Sequence, residues 1–118
     1  MAYDTIPSLG RVTVERYDDC RVVSLQGDHD VSTVGLVRGL LADARAAGRV
    51  VFVDLTAATF IDTTIAVALL EAFLADMPTR LRFVMPADSI PRRIFCTIGF
   101  GTGLPVYERL QDAVRDGR

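Results

Sequence analysis

Residue types that often carry chemistry are scarce in this chain, and each scarcity argues against a class of function. The 118 residues include one histidine and two cysteines, and lysine does not occur, so all 13 basic residues are arginine. Cys20 and Cys96 follow no metal-ligand spacing, and His29 has no second histidine with which to form a metal site. We therefore expect reduced cysteines, no metal ion, and a solvated His29 in a polar loop.

We expect neither a membrane-spanning segment nor a secretory leader. Its longest mostly apolar stretch, residues 65–75, is interrupted by Glu71 and is too short to span a bilayer. The residues from Met1 to Asp4 have neither a basic region nor an apolar one. A formal net charge of -2 offers no basic surface for nucleic acid. We expect a cytoplasmic protein that neither inserts into membranes nor binds nucleic acid.

Catalytic motifs are missing as well. The sequence has no Gly-x-Ser-x-Gly nucleophile elbow, no Gly-x-x-x-x-Gly-Lys phosphate loop and no cysteine with an obvious base. Asp30 and Asp62 form the one carboxylate pair that acid–base chemistry would use, and no pocket is evident around them. We therefore expect a protein that is not an enzyme.

What the chain does have is an alternation of strand and helix patterns. The continuous apolar run of residues 50–55 indicates a strand buried on both faces, and helical periodicity follows over residues 63–77. Further patterns predict strands near residues 12–14, 21–25, 81–85 and 104–107, and helices over about 32–47, 91–98 and 108–115. The fold class is therefore α/β, with a mixed, mostly parallel sheet of about four to five strands and about four helices packed against it. We expect a flexible lead-in over residues 1–10 and a single domain over residues 11–118.

The most informative point in the pattern is the start of the helix at residue 63. Asp62 is a favoured N-cap type, and Thr63 and Thr64 place two hydroxyl groups in the first turn. The N-terminal end of a helix favours added negative charge, because its free N–H groups and its dipole point there. A threonine at this position is a structural cap, a ligand contact or a phosphorylation site, and the residues alone leave the three open.

Two motifs resemble those of a known family. Gly27-Asp28-His29-Asp30 is similar to the Gly-Glu-Leu-Asp of STAS domains, the fold of bacterial anti-sigma factor antagonists. The stretch Phe60-Ile61-Asp62-Thr63-Thr64-Ile65 is similar to the family's Phe-(Ile/Met)-Asp-Ser-Ser-Gly. The match in element order extends over residues 12–116, and two motifs at family spacing are more specific than either alone.

The resemblance implies a function. In such antagonists the first hydroxyl after the aspartate is phosphorylated by a partner that is both anti-sigma factor and serine/threonine kinase, which maps the role onto Thr63 and less onto Thr64. Phosphorylation releases the partner, and because the kinase supplies ATP and magnesium, the chain itself needs no cofactor. The partner-binding residues implied by the resemblance, together with the outer face that we assign to the residue-63 helix, are Asp28, Asp30, Asp62, Thr63, Thr64, Ile65 and Ala68.

Departures from the family pattern sharpen these expectations. Threonine replaces both serines, and Ile65 stands where the family has glycine. We expect Ile65 to lie on an exposed outer face of the helix, with Ala68, Ala72 and Ala75 on or near it, and to anchor a dedicated partner. Two alternatives stay open, a STAS adaptor that is not phosphorylated and a sensor of a small ligand or nucleotide. A weak homodimer is left open too.

Overall fold

The computed structural model describes residues 2–4, 10–75, 80–98 and 104–117. Within these ranges the chain forms seven strands and four helices, and after the first three strands helices and strands alternate except where β5 follows β4 directly. The strands are β1 (Ala2–Asp4), β2 (Gly10–Tyr17), β3 (Cys20–His29), β4 (Val51–Asp54), β5 (Ala58–Ile61), β6 (Leu81–Val84) and β7 (Val106–Tyr107). The helices are α1 (Val34–Ala47), α2 (Thr63–Ala75), α3 (Ile90–Thr97) and α4 (Leu110–Gly117).

All seven strands belong to one mixed sheet. Its order is β1-β2-β3-β4-β6-β7, and β5 pairs with β3 beside this path. The pairings of β1 with β2 and of β2 with β3 are antiparallel, and the remaining four are parallel. A two-residue turn at Asp18 and Asp19 joins β2 to β3, and Asp18 has a φ of 52°, a left-handed conformation that aspartate tolerates better than most residues.

The ten-residue strand β3 pairs with two successive strands on the same edge. Its first half, Arg21 to Ser24, pairs with β4, and its second half pairs with β5 from Gly27 onward. Within the second half the register shifts between Gly27 and Asp28. Gly27 has a φ of 80°, and its N–H donates to the carbonyl of Ala57. As a result β3 and β5 end side by side, which brings the segments that follow them to one edge of the sheet.

Helices cover both faces of the sheet. Successive side chains of a strand point to opposite faces. Val51 and Val53 of β4 pack in the larger core cluster with residues of α1, α2 and α3, whereas Phe52 packs in a second cluster with Ala113 of α4. Val51, Phe52 and Val53 are all buried, which confirms the prediction of a strand covered on both sides.

The α/β fold class and the mixed, mostly parallel sheet are confirmed, and the number of strands is corrected. The sheet has two strands more than the upper predicted count, because β1 has only three residues and β5 has exposed residues between its buried ends instead of an apolar run or an alternation. Ala2–Asp4 forms a strand inside the expected flexible lead-in, and β2 begins at Gly10. The helix expected to run to Met77 is described as far as Ala75, and Met77 lies outside the described residues.

Candidate functional site

The candidate site lies where β3 and β5 end. His29 is the last residue of β3, Ile61 is the last residue of β5, and the two are register partners. The chain leaves each strand through an aspartate, Asp30 in one case and Asp62 in the other, and the N–H of Asp62 donates to the carbonyl of His29 at 3.1 Å. This backbone bond places the two acidic segments next to each other.

Asp62 caps helix α2. Its Oδ1 accepts hydrogen bonds from the N–H of Ile65, at 3.1 Å, and from the hydroxyl of Thr64. Its backbone carbonyl accepts from the N–H of Ala66 at 3.1 Å, which closes the first helical turn. An aspartate at this position satisfies one of the unpaired N–H groups of the helix start, so the predicted N-cap is confirmed.

The two threonines of the first turn differ in their hydrogen bonding. Both side chains are exposed. The Thr64 hydroxyl donates to the Asp62 carboxylate, whereas the Thr63 hydroxyl has no hydrogen-bond partner in the part of the chain that the structure describes. Thr63 therefore presents an unengaged hydroxyl to solvent at the N-terminal end of a 13-residue helix.

Two further carboxylates border this helix start. Asp28 is exposed on β3, where it accepts a hydrogen bond from the hydroxyl of Thr59 on β5. Asp30 accepts from the hydroxyl and the N–H of Ser32, and these bonds hold the pKa of the Asp30 carboxyl below its usual value. The face built by these segments thus carries negative charge from Asp28, Asp30 and Asp62. We name this surface, together with Thr63 and Thr64, the acidic face.

The expectation of a solvated His29 is wrong. The imidazole is fully buried, with Nδ1 at 3.0 Å from the hydroxyl of Thr33 and Nε2 at 3.0 Å from the carbonyl of Gln26. Sequence reasoning missed this because Asp28 and Asp30 made the segment look like a loop. In the structure it continues β3, and alternation turns the residue between the two aspartates inward.

The expectation that Ile65 and Ala68 lie on an exposed face is also wrong. Ile65 is 0% exposed and Ala68 is 3% exposed, and Ile65 packs in the larger core cluster with Val37 and Leu41 of α1. Helix α2 has the sheet beneath it and α1 beside it, so its buried arc is wider than the single apolar stripe read from the sequence. Neither residue therefore belongs to a surface that a partner reaches.

The apolar residues that are exposed near the acidic face are different ones. Phe60 on β5 is 41% exposed, Val31 in the loop after Asp30 is 66% exposed, and Val67 on α2 is 41% exposed. Val67 follows Thr63 and Thr64 by four and three residues, which places it on their side of the helix. Counting three and four residues onward from the threonines, instead of from Ile65, would have identified the exposed side of α2 from the sequence.

Two further observations concern the described residues. Groups of three or more His, Cys, Asp or Glu side chains suited to hold a metal ion do not occur among residues 2–4, 10–75, 80–98 and 104–117. Over the same ranges no helix combines the length and the apolar character that crossing a membrane requires.

Among known protein families, the chain matches the STAS domain family over residues 11–113. No curated protein sequence matches it. Among solved structures, an anti-sigma factor antagonist from Mycobacterium paratuberculosis is 22% identical with a TM-score of 0.80, over 94% of this chain and 96% of that one.

The antagonist SpoIIAA shares the fold as well. Its unphosphorylated form is 16% identical with a TM-score of 0.67, over 89% of this chain and 94% of that one. Its phosphorylated form, from Bacillus, is 19% identical with a TM-score of 0.68, over 91% of this chain and 99% of that one. At such identities the likeness establishes a common fold.

Proposed function

The chain belongs to the STAS domain family, and we propose that it is an anti-sigma factor antagonist that acts by partner switching. In its unphosphorylated form it binds an anti-sigma factor that is also a serine/threonine kinase, and phosphorylation of Thr63 releases that partner. The protein itself is a binding module in the cytoplasm, without catalytic activity or a cofactor, because the kinase supplies ATP and magnesium.

The observation that carries this proposal is the difference between the two hydroxyls. A phosphoryl acceptor has to be reachable and free to turn toward the kinase, and the Thr63 hydroxyl is exposed and has no partner in the described structure. The neighbouring Thr64 hydroxyl is already bonded to Asp62. Thr63 is therefore the better acceptor of the two, and Thr64 has a local structural role.

The surroundings of Thr63 suit a partner interface. Phe60, Val31 and Val67 supply exposed apolar side chains, and interfaces typically combine such anchors with a polar rim. Asp28, Asp30 and Asp62 supply negative charge, which favours a partner whose matching surface is basic. Ile65 is buried beneath this surface, so its replacement of the family glycine places no methyl groups in the path of a partner.

The effect of phosphorylation follows from charge. A phosphothreonine carries about −1.5 to −2 charges at pH 7. The N-terminal end of α2 tolerates this charge, since the helix dipole favours anions there. Inside an interface the phosphate would have to be desolvated beside the Asp62 carboxylate, and we propose that this desolvation and the like-charge repulsion outweigh the attraction of the phosphate to a basic partner surface. The likeness to SpoIIAA, which has been solved in both phosphorylated and unphosphorylated forms, is in keeping with such a switch.

The proposal is tested with the anti-sigma factor kinase from the same organism. Incubated with this kinase and Mg-ATP, the chain should gain one phosphate by intact-mass analysis. Thr63→Ala should abolish the gain, and Thr64→Ala should preserve it. If the phosphate is absent, or is found on Thr64 alone, the switch at Thr63 is refuted and an adaptor that is not phosphorylated takes its place.

Binding to the same kinase provides the second arm. By calorimetry, Thr63→Glu should weaken the unphosphorylated complex strongly, whereas Thr63→Gln, which has a similar shape without the charge, should weaken it less. Gln111→Glu is the matched control, because it adds one charge to an exposed position of α4 on the opposite face of the sheet. Equal affinities for all three variants would contradict the assignment of the interface.

A further inference from the structure

The buried His29 makes more hydrogen-bond contacts than a packing residue needs. Its Nε2 lies 3.0 Å from the carbonyl oxygen of Gln26 and 3.3 Å from that of Arg11, and its Nδ1 lies 3.0 Å from the Thr33 hydroxyl. The ring sits on Gly10, where a Cβ atom would come within 2.5 Å of ring atoms Cε1 and Nε2. Every polar atom of the ring is therefore engaged.

These partners fix the tautomer of the neutral ring. Two carbonyl oxygens face Nε2, and both are acceptors, so Nε2 carries the proton. In the neutral ring Nδ1 then has a lone pair, and it accepts from the hydroxyl of Thr33. The Thr33 side chain is also fully buried, so its hydroxyl cannot form a hydrogen bond with solvent instead.

The Thr33 hydroxyl has a second acceptor within reach. Its oxygen lies 3.1 Å from the carbonyl oxygen of Asp30, and one hydroxyl proton serves one of the two acceptors well. When His29 is neutral, the proton points to Nδ1. When His29 is protonated, Nδ1–H donates to the threonine oxygen, and the hydroxyl proton turns to the Asp30 carbonyl.

The backbone of this segment is shared by both helix starts. The Asp30 carbonyl also accepts from the N–H of Thr33, at 3.0 Å, in the turn that leads into α1. The His29 carbonyl accepts from the N–H of Asp62, which caps α2. The imidazole of His29 is therefore linked to the Asp30 loop through the Thr33 hydroxyl, and the backbone of the same residue is bonded to the start of α2.

We propose that His29 is a positioning residue of the acidic face, and that its protonation, relayed by the Thr33 hydroxyl, changes the hydrogen bonding of the Asp30 loop and weakens the hold on a basic partner. The partner part of this inference rests on the proposed function, and the relay does not. Protonation places a positive charge directly beneath Asp28 and Asp30, which lowers the negative potential that such a partner meets.

The charged groups that act on the ring are the carboxylates of Asp28 and Asp30, on either side of it in the chain. From the other elements packed against it, β2 contributes the backbone carbonyl of Arg11, and Thr33, just before α1, contributes an uncharged hydroxyl. Asp62, at the start of α2, bonds to the backbone of His29 rather than to its ring. Burial lowers the pKa of His29 below its usual 6.5, against the bonds to Gln26 and Arg11 and the charges of Asp28 and Asp30, which raise it. The ring is therefore neutral at pH 7.

The consequence for folding has a definite sign. The unfolded chain takes up a proton on His29 near pH 6.5, and the folded chain takes it up only at its lower pKa. The stability tied to this residue is thus complete above pH 6.5 and is lost as the pH falls from there to the folded pKa. The relay operates in the same acidic range.

Nuclear magnetic resonance of the chain alone tests the relay, and His29 is the one histidine of the sequence, so its ring titration is unambiguous. As the pH is lowered from neutral, the ring nitrogen shifts of His29 and the amide shifts of Ser32, Thr33 and Asp62 should change with one common midpoint. Thr33→Val, which keeps the shape and removes the hydroxyl, should leave the ring titrating and suppress the response of Ser32. Thr33→Ser, which keeps the hydroxyl, should preserve it.

Partner binding tests the second half. Affinity for the anti-sigma factor kinase should fall several-fold on acidification in the parent chain and should stay constant in His29→Leu. A ring that titrates while the Ser32 and Asp62 amides do not respond, or the same response in Thr33→Val as in the parent, would reduce His29 to a packing residue. These shifts need no partner and no phosphate, so loss of the proposed function at Thr63 would leave the relay measurable by itself.

Discussion

Helices α1 and α2 begin side by side at the same edge of the sheet, and they are held there in different ways. Each follows an aspartate that has a hydroxyl residue two positions later, Asp30 with Ser32 and Asp62 with Thr64. In α2 the aspartate caps the helix itself, through the N–H of Ile65. In α1 the aspartate closes a turn upstream, and the residue at the N-cap position, Thr33, has no side-chain capping bond.

The two helix starts differ in the contacts that stabilise them. The start of α2 is capped locally by Asp62, and its residue Ile65 is buried in the core. The start of α1 depends on Thr33, whose hydroxyl bonds to His29 from another element, and His29 in turn needs Gly10 from a third. Similar local sequences therefore give one helix start that is stabilised mainly by neighbours in the chain and another that is stabilised by tertiary contacts.

Removing the buried support of the α2 start should have the largest effect on stability. Ile65→Ala removes a fully buried side chain from the core beneath the acidic face. We expect it to lower the free energy of unfolding by about 2–5 kcal/mol, the range for large-to-small core substitutions, as measured by urea denaturation. Val67→Ala, at a position that is 41% exposed, is the control and should change stability by about 0.5 kcal/mol or less. Equal losses in the two variants would mean that α2 is oriented differently from this structure.

Disturbing the tertiary contacts that support the α1 start should have the next largest effect. Gly10→Ala places a Cβ atom 2.5 Å from the Asp28 carbonyl and from the His29 ring, so the ring or the strand has to move. We expect a loss of about 1–3 kcal/mol, the usual cost of overpacking, together with altered amide shifts at Thr33. Gly39→Ala is the matched control, since nothing lies within 4 Å of its added Cβ and it stands inside α1. This control should be stabilising by about 0.5–1 kcal/mol. A similar gain in Gly10→Ala would contradict the packing of the His29 ring against Gly10.

The smallest expected effects come from the two aspartates, whose contributions to stability should differ. Asp62→Ala removes the cap of α2 and should cost about 1 kcal/mol in thermal or urea unfolding, whereas Asp62→Asn should keep most of the stability because asparagine caps as well as aspartate. Asp30→Ala removes bonds of an exposed turn and should cost about 0.5 kcal/mol or less. If Asp30→Ala proves the more damaging of the pair, the Asp30 carboxylate is the stronger support and the roles assigned to the two helix starts are reversed.

Prediction from sequence succeeded where local pattern decides the outcome. The apolar run of residues 50–55 marked the buried strand β4, and Asp62 marked the cap of α2. Each depends on backbone geometry or on hydrogen bonds within a few residues, so neighbouring residues suffice to indicate it. The roles of Thr63 and of the acidic residues in binding remain predictions, for which the structure supplies a fitting surface.

Prediction failed where burial depends on which elements meet. Ile65 was placed on an outer face because a single apolar stripe was taken to pack on the sheet, and the neighbouring α1 covers the next side of α2 as well. Phe60 was not recognised as an exposed aromatic, because the short strand β5 leaves no periodic signal of its own. In both cases the missing information was the position of a second element.

From the amino-acid sequence alone one can predict the α/β class, the central buried strand, and the aspartate-capped helix start that carries two hydroxyls. These follow from hydrophobic period and capping chemistry, which act over a few residues. Only the tertiary structure decided that His29 and Ile65 are buried, that the Asp30 and Asp62 segments are joined by a hydrogen bond, and that Thr63 alone of the two threonines has an unengaged hydroxyl in the described residues. Those features depend on strand β3 pairing with β4 and then β5, and such long-range pairing is set by the packing of the whole core rather than by any one segment.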